Sequence, residues 1–234
     1  MTTREIRTRL RRLGNKKRAK LSQRYFKTGP GQYGEGDVFL GIAVPVLRTL
    51  AKEYQDLALA DIIDLLRSAI HEERLLALLL LVRAYARADD SVRKMIYELY
   101  LKNTRYINNW DLVDLSAMHI VGAFLMGKSK RPLSALATSN NMWERRIAVM
   151  ATFYFIKGGE FAASLTIARK LLTDKEDLIH KAVGWMLREI GKRNLRIEEQ
   201  FLKKHYPKMP RTMLRYAIEK FPEPKRQRYL KGKM

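Results

Sequence analysis

Almost everywhere this chain carries apolar residues, it carries them at helical spacing. Asp61-Ile-Ile-Asp-Leu-Leu, Glu73-Arg-Leu-Leu-Ala-Leu-Leu-Leu-Leu-Val and Ser91-Val-Arg-Lys-Met-Ile-Tyr all place them three or four apart, as a helix with one buried stripe requires. No Asn-Gly or Asp-Gly turn joins two alternating runs, so a β-sheet has little support. The helices also recur. Glu73-Arg-Leu-Leu-Ala-Leu, Trp110-Asp-Leu-Val-Asp-Leu, Trp143-Glu-Arg-Arg-Ile-Ala, Ile179-His-Lys-Ala-Val-Gly and Met213-Leu-Arg-Tyr-Ala-Ile align on Arg74, Asp114, Arg146, Lys181 and Arg215, in steps of 40, 32, 35 and 34 residues. That is the period of two-helix repeats. One helix pair cannot bury its apolar face alone, so pairs stack into a continuous core with a curved surface. The expected fold is all-α: an α-solenoid of HEAT-like two-helix repeats forming a concave basic groove, one domain over residues 1–234.

Breaks fall where repeats should end, at Gly127-Lys-Ser-Lys-Arg-Pro132, Gly158-Gly159 and Pro207 to Pro210. The segment Thr28 to Gly41 is different. Gly29-Pro30-Gly31, Gly34, Gly36 and Gly41 exclude helix there and predict an extended loop with room for a short hairpin.

Charge narrows the partners. Lys and Arg number 46 against 24 Asp and Glu, a net +22, which favours a polyanion, nucleic acid before an anionic membrane or the ribosome. Residues 1–27 hold eleven cations and one acid, Glu5, and Lys203 to Met234 hold eleven more against Glu219 and Glu223. Residues 1–20 are expected to be a basic helix or arm, and 222–234 a basic tail. The alternative is a pair of frayed, solvated termini.

With no cysteine, disulfides, Cys-based metal sites and thiol chemistry are excluded. His71, His119, His180 and His205 have no metal-ligand spacing, so neither a metal nor a cofactor is expected. Leu75 to Val82, the longest strongly apolar run, is too short to span a bilayer. The N-terminal Ile6, Leu10 and Leu13 have the rough spacing of a presequence, but no uncharged apolar region follows. The expected location is the cytoplasm.

Each of the three tryptophans has a charge one turn away. Trp110 precedes Asp114 at i,i+4 and Trp143 precedes Arg146 at i,i+3; Trp185 follows Lys181 at i,i+4 and precedes Arg188 at i,i+3. Each pair shares a helix face. On a helical wheel Asp114 lies among Trp110, Ala117, Met118, Val121 and Leu125, so its carboxylate is partly desolvated and needs a partner. One reading is an ion pair with Arg146 or Arg188 that ties repeats together. The other is chemical. A carboxylate held ionised stabilises a cationic transition state or orients a water, and tryptophan faces attract cations and pack on sugars. Release of a base from DNA passes through a sugar with oxocarbenium character. A lone carboxylate suffices when the leaving base is already cationic. Trp143 follows Asn140-Asn141-Met142 at a helix start and is read as core. Arg146, Arg188, Lys181 and Lys192 are either phosphate contacts or paired helix charges. Tyr25 and Tyr33 flank the glycine loop and are placed to line a groove or simply to pack.

Arg24-Tyr-Phe-Lys, Phe39-Leu-Gly-Ile-x-x-Pro45-x-x-Arg48, Asn109-Trp-Asp-Leu-Val-Asp114, Trp143-x-x-Arg146 and Lys181-Ala-Val-Gly-Trp-Met-Leu-Arg-Glu189 together resemble the AlkD-type DNA alkylation repair family, in the same order from about residue 20 to about 220. The resemblance implies a HEAT-like DNA glycosylase that removes N3- and N7-alkylated purines without enclosing the lesion in a base-specific pocket. It places the catalytic aspartate at Asp114, the groove tryptophans at Trp110 and Trp185, DNA-contacting arginines at Arg146 and Arg188, and a groove tyrosine at Tyr25. Lys181 and Lys192 are further candidate phosphate contacts. Two departures stand out: the longer stretch Thr28 to Asp37, and the basic tail from Lys225 to Lys233.

The leading expectation is a monofunctional enzyme. No lysine is placed as a Schiff-base nucleophile, so hydrolysis without strand cleavage is expected. The partner is double-stranded DNA containing alkylated bases, met by a monomer with no obligate protein partner. The alternative is a non-catalytic protein that binds branched or bulged DNA through the same groove. A protein-interaction scaffold leaves the Trp and Asp pattern unexplained.

Overall fold

The computed structural model describes Thr2–Lys233 and is all-α. The helices are α1 (Thr3–Leu13), α2 (Lys16–Tyr25), α3 (Val44–Glu53), α4 (Leu59–Leu66), α5 (His71–Arg87), α6 (Asp90–Lys102), α7 (Trp110–Asp114), α8 (Ala123–Leu125), α9 (Arg131–Leu136), α10 (Met142–Lys157), α11 (Ala162–Lys170), α12 (Asp177–Gly191), α13 (Leu195–His205), α14 (Arg211–Ala217) and α15 (Glu223–Leu230). The chain divides into two compact units, with the boundary between Ile120 and Val121.

In the first unit α5 is the central element, with α3, α4, α6 and α7 packed against it. Its residues from His71 to Leu81 are all buried, so it has no solvent-exposed face in that half. This explains why its apolar run looks continuous in sequence. α1 is a docked helix, not a loose arm. Thr2 and Glu5 close a capping box at its start, and Ile6 and Leu10 are fully buried. Arg7 joins it to Glu73 of α5 (3.1 Å) and Asp64 of α4 (3.0 Å).

Thr28 to Gly41 is a loop, as expected, and no hairpin forms within it. The segment is a chain of turns, and its one extended pairing is an isolated parallel bridge between Val38 and Ile70. Gly41 ends it with φ +79°, and a Cβ there would lie 2.4 Å from the Asn15 carbonyl. Glycine is therefore required both for the left-handed turn and for the contact with α2.

In the second unit α10 packs on α12 and α12 on α14, while α9, α11 and α13 flank that row. The stack has the layering that the repeat period predicts. Gly184 permits the α12–α14 approach, since a Cβ there would lie 2.4 Å from the Met213 carbonyl. Trp143 is buried at the start of α10, where the Asn141 side chain caps the helix. The C-terminal segment also folds. Tyr229 of α15 is buried, and Lys225 pairs with Glu199 of α13.

Candidate active site and nucleic-acid interface

Trp110 and Asp114 are the first and last residues of α7, so a single helical turn sets their spacing. The wheel that placed Asp114 beside Val121 and Leu125 assumed one unbroken helix. The structure corrects this: α7 ends at Asp114, and after a short turn the chain enters a π-helical segment, Met118–Gly122, which shifts the register. π-bulges cluster at functional sites. Asp114 is half-buried. It is close enough to Tyr100 of α6 to raise that phenol's pKa, a shift dominated by the tyrosine's own burial. Tyr100 Oη meets Ser116 Oγ at 2.9 Å, and Ser116 Oγ donates to the Leu112 carbonyl at 2.6 Å. These bonds fix the turn that follows the carboxylate.

Trp110 rests on an aromatic stack. Phe26 lies parallel to it at 5.2 Å, Phe39 stacks on Phe26 at 5.0 Å, and the His71 ring stacks on Phe39 at 4.4 Å. Tyr25 meets the Trp110 ring edge-on at 5.9 Å and is itself 66% exposed. The indole is therefore positioned from beneath, and its tyrosine neighbour faces solvent.

Below the stack is a buried network of charges absent from the sequence reading. His71 Nδ1 bonds Asp37 Oδ2 at 3.1 Å and Nε2 bonds Asp111 Oδ2 at 2.8 Å. Arg74 donates to Asp37 Oδ1 at 2.5 Å, and Asn109 Nδ2 donates to Asp37 Oδ2 at 3.1 Å. Two carboxylates face two cations, so the cluster balances. Burial disfavours the imidazolium, but Asp111 and Asp37 outweigh it and push the His71 pKa up to about 8. Burial likewise opposes ionisation of Asp37, yet His71, Arg74 and Asn109 hold its carboxyl below the usual range. With both ring nitrogens bonded to carboxylates, each carries a proton and neither offers a lone pair to a metal.

The network joins two separate pieces of chain to α7. Asp37 comes from the glycine loop, His71 and Arg74 from α5, and Asn109 is the N-cap of α7, accepting from the Trp110 N–H at 2.8 Å. Next to it Glu72 accepts from three successive backbone N–H groups, Leu40 (2.9 Å), Gly41 (2.7 Å) and Ile42 (3.2 Å). The Phe39-Leu-Gly-Ile motif is therefore a backbone cradle for a buried carboxylate. One cue was present in the sequence: His71-Glu-Glu-Arg74 is a run of four polar residues opening an otherwise apolar helix.

Trp185 is held within the second unit. Its Nε1–H donates to Glu189 Oε1 at 3.3 Å, and its ring lies 6.0 Å from Phe153 of α10. Lys192 and Arg193 bond the same carboxylate at 2.6 and 3.1 Å. Burial disfavours the charge on Glu189, but Lys192 and Arg193 outweigh it and lower the pKa. The other candidate DNA contacts are also engaged within the protein. Arg146 is buried and donates to the Leu178 carbonyl at 2.5 Å. Arg188 pairs with Glu219 of the segment after α14, and Lys181 pairs with Asp177 at 2.8 Å. The geometry thus gives each of these cations a structural partner.

The all-α chain thus sets a tryptophan and a carboxylate on one helical turn. The family model of the DNA alkylation repair enzymes matches residues 6–221, and the chain belongs to that family. In structure it is similar to a solved chain described as a predicted DNA alkylation repair enzyme from Enterococcus faecalis, with TM-score 0.68, 18% identity, and coverage of 90% of this chain and 97% of that one. At that identity the likeness speaks for the fold. No curated protein matches the chain. The protein is accordingly an enzyme of DNA alkylation repair.

Proposed function

We propose that the protein is a monofunctional DNA glycosylase that hydrolyses the bond between deoxyribose and an N3- or N7-alkylated purine. The observation that carries this reading is the pairing of Trp110 and Asp114 on α7, braced from beneath by buried charges, in a chain of the alkylation repair family. An alkylated purine is already cationic and leaves without being protonated. The C1′–N bond breaks, its electron pair neutralises the departing base, and C1′ acquires positive character. Asp114 stabilises that charge and orients the water whose oxygen bonds C1′; the water's proton passes to solvent. Trp110 packs against the sugar with its aromatic face, and Trp185 is assigned a similar aromatic contact with the DNA. Arg146, Arg188, Lys181 and Lys192 are assigned to phosphates, for which each must give up a present partner within the protein. The anticipated partner is duplex DNA with alkylated bases, bound by a monomer without a cofactor.

The test is to incubate the protein with randomly methylated duplex DNA and identify the freed bases. Release of 7-methylguanine and 3-methyladenine from strands that stay intact is the expected result. Tight binding to branched or bulged DNA with no base released would replace this reading with that of a DNA-structure binder.

A further inference from the structure

Helix α2 has the properties of a binding element, not a core element. It buries no residue. Lys16, Lys17, Arg18, Lys20 and Arg24 are all exposed, and among the described residues none has a carboxylate within ion-pairing distance. The helix contains no acid. Five neighbouring cations without counter-charge repel one another, and this self-repulsion costs stability unless an anion is met. Other helices pair some of their cations within the protein: Arg7 and Arg9 on α1, Lys181 and Arg188 on α12, Lys225 on α15.

The helix also forms one wall of a cleft of about 660 Å3. Lys17, Lys20, Arg24 and the 58% exposed Leu21 line it from α2, and Thr28 and Gln32 line it from the glycine loop. The loop wall is self-supporting: Gln32 Oε1 accepts from the Gly29 N–H at 3.0 Å, and Glu35 accepts from the Gly31 N–H at 2.9 Å. Lys17, Lys20 and Arg24 span about 10 Å of helix, the rise of roughly three base pairs along the duplex axis. Tyr25, at the end of the same helix, touches Trp110.

We infer that the α2–glycine-loop cleft is a second DNA-binding surface, which takes the sugar-phosphate backbone of one strand beside the Trp110 site. Lys17, Lys20 and Arg24 contact successive phosphates, and Leu21 packs on a deoxyribose. The inference rests on the nucleic-acid part of the reading above and not on base release.

The test uses the full chain and an unmodified fluorescent duplex, with Kd measured against KCl concentration. The triple variant Lys17→Gln, Lys20→Gln, Arg24→Gln retains helix-forming residues at exposed positions. A control with the same loss of charge carries Lys52→Gln, Lys102→Gln and Lys170→Gln. The cleft variant should lower the slope of log K against log salt by about 2 to 3 and weaken binding about tenfold at 0.1 M salt, with the control close to wild type. Equal behaviour of the two variants would overturn the proposal. So would an unchanged duplex affinity combined with loss of binding to phosphatidylserine vesicles, which would make the surface a membrane contact. Because the duplex is undamaged, a protein that releases no base fails the glycosylase reading and leaves this measurement standing.

Discussion

Asp37 and Glu198 are carboxyls taken out of water, one in each unit, and their surroundings treat them in opposite ways. Asp37 is 5% exposed and is met by His71, Arg74 and Asn109, so it stays charged. Glu198 is 1% exposed, its Oε1 has no hydrogen-bond partner among the described residues, and Glu199 stands beside it. Burial first, then the Glu199 charge, pushes its pKa up to about 8 against the pull of Arg188. The first unit spends its buried charge on a balanced network under Trp110; the second keeps a neutral acid in its core. Position explains the difference. Trp110 lies on a five-residue helix, too short to hold itself, and needs bracing from distant chain segments. Trp185 lies within a 15-residue helix and takes its brace from Glu189 one turn on.

The comparison breaks if Asp37 proves dispensable. Asp37→Ala leaves Arg74 without a carboxylate and His71 with Asp111 alone, and should cost about 3–5 kcal/mol. Hydrogen exchange should locate the loss in α5 and α7 of the first unit. An effect below 1 kcal/mol would mean the network is not a brace.

The converse change acts on Glu198. Between pH 4.5 and about 8 the unfolded carboxyl is ionised while the folded one is neutral, so folding must take up a proton. Glu198→Gln removes that cost and should stabilise the protein by about 3 kcal/mol at pH 7, with a smaller gain below pH 5. Denaturant midpoints at the two pH values measure it, and a destabilised variant at pH 7 would contradict it.

His71 gives a pH effect of opposite origin. Its folded pKa is raised from 6.5 to about 8, so its contribution is complete below pH 6.5 and is lost as pH rises through 8. About 2 kcal/mol is at stake. The groups facing it are Asp37 from the loop, Asp111 from α7 and Arg74 from α5. In the Glu198→Gln background, where the second titration is absent, α7 should exchange amide hydrogens faster above pH 8, and His71 imidazole resonances should titrate near 8.

The sequence disclosed what is local. Trp110 with Asp114, Lys181 with Trp185 and Arg188, and the all-helical period follow from spacings of three, four and about 34 residues, which one-dimensional pattern carries. The brace was not legible because Asp37, His71 and Asp111 are separated by 34 and 40 residues, and nothing local shows that a loop aspartate will reach a helix start. His71 looked like one of four scattered histidines. For Lys192 the sequence left phosphate contact and helix ion pair equally open, because Glu189, three residues before it, gives no sign of being held against Trp185.

The central claim is that Asp114 makes this site catalytic, and single-turnover base release from a duplex carrying 7-methylguanine tests it most directly. Asp114→Asn keeps the shape of the side chain and removes its charge. The rate should fall by about 10²–10³-fold, while affinity for the same duplex stays within a factor of about two, since every candidate phosphate-binding cation is retained. Equal rates of release from the two proteins would contradict the assignment.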